Sequence, residues 1–372
     1  MADRTSAHTL RTLHPLQGRK AGIVENAGRE IIDFSSNDYL GYSQHKDIIA
    51  AAADALQKYG MGAGASRLMS GDLNIHHELE NATAKYKNKE AALCFTSGYC
   101  ANTTLIPALV SRHDVIFADA LIHASLIDGA QLSQAKLIRY RHNDITHLQE
   151  LLDKYRGNYP DALIVTESIF SMDGDRAPLK EIVKLKQQYD CRLFVDEAHA
   201  TGVFGSGIVD ADGVTADTEY IMGTFSKALG SFGGYLACDQ TTKDYLVNAA
   251  RGFVYTTALP PAIIAANIAA LKVAADNPQD GENLLKKSAD VRDELCRQGW
   301  QVAGESQIIP IVVGSSERAL ELSGKLADAG MRVLAIRPPT VPDGSARLRI
   351  SLCVIHTDEQ LHRLLEAMNG LK

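Results

Sequence analysis

No two of the six cysteines (Cys94, Cys100, Cys191, Cys238, Cys296, Cys353) form a C-x-x-C pair, and none has metal-ligand spacing. Zinc ribbons and dithiol redox motifs are therefore excluded, and the thiols read as reduced groups of a cytoplasmic protein. The start, Met-Ala-Asp-Arg-Thr-Ser, has no apolar core of the kind a secretory signal needs. Positive charge is short: 38 Lys and Arg stand against 45 Asp and Glu, a net charge of −7. That balance argues against nucleic acid or an anionic membrane as the main partner, so an anionic ligand needs a local pocket. Long apolar runs are scarce as well. The longest, 258–275, opens near Pro260 and Pro261 and is interrupted by Asn267 and Lys272. It reads as a buried helix between two domains, not a membrane span.

Several catalytic signatures are also missing. There is no Gly-x-Ser-x-Gly elbow, no Walker lysine loop, no internal repeat and no low-complexity tract. Gly60-Met-Gly-Ala-Gly64 supplies close glycines, but it follows a helical run (48–59) where a dinucleotide fingerprint needs a strand. It reads as a flexible loop. His76-His77-Glu78 lacks the second histidine of a zinc helix and reads as a polar helix face.

What is present is an ordinary globular composition over 372 residues, 45% apolar and 22% charged, enough for two or three domains with a real core. Short apolar runs alternate with helical patterns, the signature of a mainly parallel sheet covered on both faces. Strands are expected at 91–95, 115–118, 136–140, 162–167, 192–196 and 220–224, with helices such as 102–109, 146–155 and 179–189 between them. An Asn-, Pro-, Asp- and Gly-rich stretch at 276–283 reads as a linker. After it come a helix near 284–298, strands at 308–313, 332–336 and 347–352, and helices near 317–329 and 358–368. The expected division is an N-terminal segment 1–40, a large sheet domain 41–275 and a smaller C-terminal α/β domain 276–372.

In an open parallel sheet, ligands bind beyond the carboxyl ends of the strands. Four segments put chemistry there. Phe95-Thr-Ser97-Gly98-Tyr99 ends a strand and opens a helix. Its free N–H groups suit a phosphate, although a Ser-Gly cap alone is common without a ligand. Leu193-Phe-Val-Asp196-Glu-Ala-His199 delivers a carboxylate and an imidazole; a helix cap plus a surface histidine is the competing reading. Thr224-Phe-Ser226-Lys227 leads into Ala-Leu-Gly-Ser-Phe-Gly233-Gly234, where glycines admit a flat ligand close to the backbone. Without those glycines Lys227 would read as one more solvated charge. His123, in Leu121-Ile-His-Ala-Ser125, again follows a strand; a helix-start histidine is its alternative. A Schiff-base lysine with an acidic partner for a pyridinium nitrogen is what pyridoxal 5′-phosphate (PLP) requires.

With Phe34-Ser-Ser-Asn-Asp-Tyr-Leu-Gly41, Gly64-Ala-Ser-Arg-Leu-Met-Ser-Gly71, Ile122-His-Ala-Ser125, Glu167-Ser-Ile-Phe-Ser-Met-Asp-Gly174, Asp196-Glu-Ala-His-Ala-Thr-Gly202 and Thr224-Phe-Ser-Lys227, the chain resembles the α-oxoamine synthases from about Arg11 to Leu365. These are PLP-dependent acyltransferases of fold-type I, the aspartate aminotransferase-like α/β architecture. The resemblance implies Lys227 as the Schiff-base lysine and proton carrier, Asp196 at the ring nitrogen, His199 at the ring hydroxyl and His123 on the ring face. It implies Gly98, Tyr99 and Thr224 around the cofactor and its phosphate, Ser171 beside the ring, and Thr257 at a phosphate across a homodimer interface. Arg349 would take the amino-acid carboxylate, while Arg11, Asn37 and Thr340 would meet substrate or acyl chain.

Ile336-Arg-Pro-Pro-Thr-Val-Pro342 and Ala346-Arg-Leu-Arg349 look most like the branch that joins L-alanine to a pimeloyl thioester in biotin biosynthesis. The ten residues before Arg11 are fewer than the family usually carries, which implies a shortened N-terminal lid. A branch using glycine and acetyl-CoA, or another family member with a longer acyl donor, is the alternative, and coenzyme A and acyl carrier protein both stay open as the thiol carrier. A non-catalytic scaffold on this fold is disfavoured, because it needs none of Lys227, Asp196, His199 and His123.

Overall fold

The computed structural model describes residue 10, residues 12–26 and residues 28–372. The chain divides into two compact units: 42–170 with 176–278, and a smaller one of 1–41, 171–175 and 279–372.

Among the described residues, the larger unit is built on a sheet of seven strands. In spatial order they are Ala91–Phe95, Gly234–Cys238, Tyr220–Thr224, Arg192–Asp196, Ala162–Glu167, Val115–Asp119 and Lys136–Tyr140. All run parallel except Gly234–Cys238, which pairs antiparallel with both its neighbours. Central strands such as Ala162–Glu167 are buried at every position. Helices cover both faces of such a sheet, so the sequence shows continuous apolar runs and not alternation. Four of the parallel strands end in a polar residue at the carboxyl edge: Asp119, Glu167, Asp196 and Thr224.

The antiparallel strand was not expected. Its sequence, Gly-Tyr-Leu-Ala-Cys, follows a glycine-rich stretch that reads as loop. Gly234 pairs with Phe95 on one side and Thr224 on the other. A Cβ there would lie 2.8 Å from the carbonyl carbon and oxygen of Ser97, so only glycine lets this strand pass the start of the next helix. The apolar run 258–275 forms the helix Pro261–Asp276, which buries Ile264, Ala270 and Leu271 and packs on the helices Lys46–Tyr59 and Asn74–Tyr86 of the same unit. The expected linker 276–283 is mostly helix: only Asn277 and Pro278 separate Asp276 from the helix Gln279–Arg297.

In the smaller unit the described part of the expected N-terminal segment 1–40 does not stand apart. Gly18–Lys20, Ile23–Asn26 and Arg29–Asp33 form an antiparallel meander, and Met331–Arg332 joins it in parallel beside Arg29–Asp33. These main-chain bonds make the N-terminal stretch part of the C-terminal unit. The expected strand 332–336 is split: Met331–Arg332 serves this sheet, while Leu334–Ile336 pairs with Ala346–Ser351 in a second sheet that also contains Ile308–Gly314.

Candidate active site

Seven of the residues singled out in the sequence line one cavity of about 210 Å³ at the carboxyl edge of the large sheet: Gly98, Tyr99, His123, Asp196, His199, Thr224 and Lys227. Glu167, Asn102, Ser125 and Ser226 line it too. The sheet explains the convergence, since the parallel strands bring their carboxyl ends to one edge: Glu167 pairs with Asp196, and Asp196 with Met222, two residues before Thr224.

Lys227 Nζ lies 2.7 Å from His199 Nε2. Asp196 is buried, and both its oxygens are held. Oδ1 accepts from the Ala198 N–H and Oδ2 from Asn102 Nδ2, each at 2.9 Å. Ser97 caps the helix Gly98–Leu109 by accepting from the Cys100 N–H at 3.1 Å. Thr224 Oγ1 lies 2.7 Å from Ser226 Oγ, and the Tyr99 hydroxyl bonds Asp128. His123 caps the helix Ala124–Ser133, its Nδ1 accepting from the Ser125 N–H at 3.2 Å. Burial depresses the His123 pKa; the Lys227 charge acts the same way, while Asp196 and Asp128 oppose it.

Glu167 is the odd group. It is 3% exposed, and Oε1 has no hydrogen-bond partner among the described residues. Burial, and then the neighbouring Asp196, raise its pKa well above the usual carboxylate range. An amine, a doubly anchored carboxylate, an imidazole and a capped helix start around one small cavity match the aldehyde, ring nitrogen, ring hydroxyl and phosphate of PLP.

The remaining predicted residues lie elsewhere. Thr257 is exposed and lines a separate small cavity with Arg67, His76 and Thr256. In the smaller unit, Arg349 is 6% exposed. Its Nε donates to the Ser171 carbonyl at 2.7 Å, Nη1 to Ser351 Oγ at 2.6 Å and Asn37 Oδ1 at 3.3 Å, and Nη2 to the Tyr39 hydroxyl at 3.3 Å. Among the described residues all its partners are neutral. Two residues earlier on the strand, Arg347 pairs with Asp173 at 2.5 Å. Thr340 sits in an exposed turn, its N–H bonded to the Arg337 carbonyl at 3.1 Å. Arg11 lies outside the described residues.

Sequence reasoning gave no role to Asn102 or Glu167. Asn102 is buried inside a helix, a costly place for an amide without a partner, and that mismatch was the available signal. Glu167 ends a wholly buried strand, much as Asp196 ends a nearly buried one.

The chain belongs to the family of class I and class II aminotransferases, whose model matches residues 29–368. It is a PLP-dependent transferase of the α-oxoamine synthase group. It is 45% identical over 365 residues to an 8-amino-7-oxononanoate synthase of Geobacter sulfurreducens, covering 96% of this chain and 93% of that one. A solved 8-amino-7-oxononanoate synthase from Francisella tularensis matches with a TM-score of 0.80 and 31% identity, over 91% of this chain and 97% of that one. A serine palmitoyltransferase solved with PLP as its internal aldimine matches with a TM-score of 0.91 and 30% identity, over 96% and 92%. No helix among the described residues is long and apolar enough to cross a membrane.

Proposed function

We propose that this enzyme condenses L-alanine with a pimeloyl thioester, releasing carbon dioxide and the free thiol carrier and forming 8-amino-7-oxononanoate, a step of biotin biosynthesis. The observation that carries the reading is the near full-length likeness to enzymes named for that product. The cavity that gathers Lys227, Asp196, His199 and His123 supports the same chemistry.

When bound, PLP supplies an electron sink for a bond breaking at the amino-acid Cα. Lys227 would hold the aldehyde carbon through its amine and, once the substrate amine has displaced it there, would be free to take the Cα proton, with His199 orienting the amine and meeting the ring hydroxyl. Asp196 keeps the ring nitrogen protonated, and its two anchored oxygens prevent it from turning away. Gly98, Tyr99 and Thr224 would receive the phosphate at the helix start, and His123 would cover the ring face, with Ser171 the proposed neighbour of the ring. Arg349 binds the alanine carboxylate through its planar fork, which selects the Cα bond to be broken. Once the proton is on Lys227, a carbon–carbon bond forms between Cα and the thioester carbonyl, and the carbon–sulfur bond breaks. The carboxylate then leaves as carbon dioxide, and a proton returns to carbon.

Asn37 and Thr340 contact substrate, and Arg11 pairs with the far carboxylate of the pimeloyl group. Thr257 serves the phosphate of a second copy, which makes the active unit a homodimer, with a cytoplasmic location and coenzyme A or acyl carrier protein as thiol carrier.

The deciding measurement is thiol release with L-alanine against pimeloyl, heptanoyl and acetyl thioesters, and separately with glycine. Pimeloyl with alanine should be fastest; faster turnover of glycine with acetyl-CoA overturns the reading. Borohydride should remove the visible band and leave the label on the Lys227 peptide. Replacing Arg11 by Ala should lower the preference for pimeloyl over heptanoyl by roughly 10- to 150-fold, the worth of one charge-assisted hydrogen bond. Sedimentation at assay concentration tests the dimer, and a fully active monomer refutes it.

A further inference from the structure

Asn102 lies in the second turn of the helix Gly98–Leu109 and is 1% exposed. Its side-chain nitrogen donates to Asp196 Oδ2 and to Ser125 Oγ, both at 2.9 Å. Ser125 is itself 1% exposed, and its Oγ stands 2.7 Å from His123 Nδ1. A continuous chain of hydrogen bonds thus runs from Asp196 through Asn102 and Ser125 to His123.

The chain has only one workable direction, and it is set from both ends. A carboxylate accepts and cannot donate, so the amide must turn its NH₂ towards Asp196. The second hydrogen of that NH₂ then points at Ser125 Oγ, which must accept it. At the other end, the Ser125 backbone N–H reaches His123 Nδ1 at 3.2 Å, and a backbone N–H can only donate. Nδ1 must therefore be unprotonated, and the Ser125 hydroxyl hydrogen goes to it. The ring proton is left on Nε2, which has no hydrogen-bond partner among the described residues.

We propose that Asn102 and Ser125 are positioning residues that lock His123 as a neutral imidazole with its proton on Nε2, through a hydrogen-bond chain anchored at Asp196. A ring held this way offers a single N–H donor and adds no positive charge beside Lys227. Its catalytic meaning rests on the PLP-site reading above, whereas the tautomer does not. The charged and titratable groups around His123 are Asp196, Lys227, Asp128 and Glu167, whose carboxyl accepts from the His123 backbone N–H; His199 lines the same cavity.

Heteronuclear NMR of histidine-labelled protein, with and without PLP, tests this, using His123→Asn to assign the signal. The wild type should show Nε2 protonated and Nδ1 bare at neutral pH. Ser125→Ala keeps the backbone cap but removes the hydroxyl link. Losing one hydrogen bond to the neutral form should raise the His123 titration midpoint by about 0.5–1 unit. Ser125→Thr, which keeps a hydroxyl, should restore it. Asn102→Ala frees that hydroxyl to turn away and should give a smaller rise in the same direction. A wild-type ring protonated on Nδ1 or cationic at neutral pH overturns the proposal, as does an unmoved midpoint in Ser125→Ala. If Ser125→Ala does not fold, the wild-type tautomer decides alone. Failed condensation of alanine with an intact tautomer counts against the functional reading and not against the chain.

Discussion

Glu167 in the larger unit and Arg349 in the smaller are both buried and both ionisable. Each lacks something: Glu167 a partner for Oε1, Arg349 any anionic partner among the described residues. The chemistry of the two groups makes these deficits mean different things. A carboxyl can escape the cost of a buried charge by keeping its proton, and the raised pKa of Glu167 is that escape. A guanidinium cannot lose its proton under ordinary conditions, so Arg349 stays charged wherever it is placed. An unanswered carboxyl therefore points to a proton, and an unanswered arginine points to an anionic ligand. Arg347 supplies the control, because its Asp173 partner already answers the charge.

The comparison can be stressed by mutation. The largest effect should come from Asp196→Asn, since losing one charge of a buried pair costs ~3–5 kcal/mol. Exchange of the alanine Cα proton in deuterated water should slow by roughly two to three and a half orders of magnitude; near-normal exchange would remove Asp196 from the ring nitrogen. Arg349→Ala comes next. Loss of one charge-assisted hydrogen bond of ~1.5–3 kcal/mol should raise the alanine KM by roughly 10- to 150-fold. Arg349→Lys should rescue it poorly, because a lysine lacks the planar fork. Arg347→Ala should appear in thermal unfolding and leave the alanine KM where it was; a raised KM there would erase the distinction between the two arginines. The smallest effect belongs to Glu167→Gln. An amide resembles a protonated carboxyl in shape and charge, so Tm and Cα exchange should stay close to wild type. A severe loss would mean that Glu167 works as an anion.

Much of the larger unit was legible in the sequence because burial on both faces leaves a plain signal. A strand such as Leu193-Phe-Val is apolar without a break, so the first polar residue after it, Asp196, marks the edge where ligands collect. Lys227 and His123 follow strands in the same way. Asn102 was hidden because its importance lies in two partners distant in sequence, Asp196 and Ser125, and a helix-interior asparagine looks only like a poor helix former. The strand Gly234–Cys238 was hidden because its glycine answers a close backbone approach that no local pattern reveals. In the smaller unit, short strands that are partly exposed gave too little periodicity, and no element is expected over Gly18–Asp33, which falls in the N-terminal segment 1–40.

That meander bears on how the protein comes to be made. Ile32 pairs with Met331 and Asp33 with Arg332, so one edge of an N-terminal sheet is completed by residues near the other end of the chain. During synthesis, Arg29–Asp33 leaves the ribosome long before its partner exists. Such a distant pairing forms slowly because a very long loop has to close first. Until then, the main-chain groups of Arg29–Asp33 remain an open edge that any other strand can join. A ribosome that stalls after the large sheet is complete but before Met331 would release a chain with a finished cofactor cavity and an uncapped edge, the kind of species that chaperones bind and that self-associates when they do not.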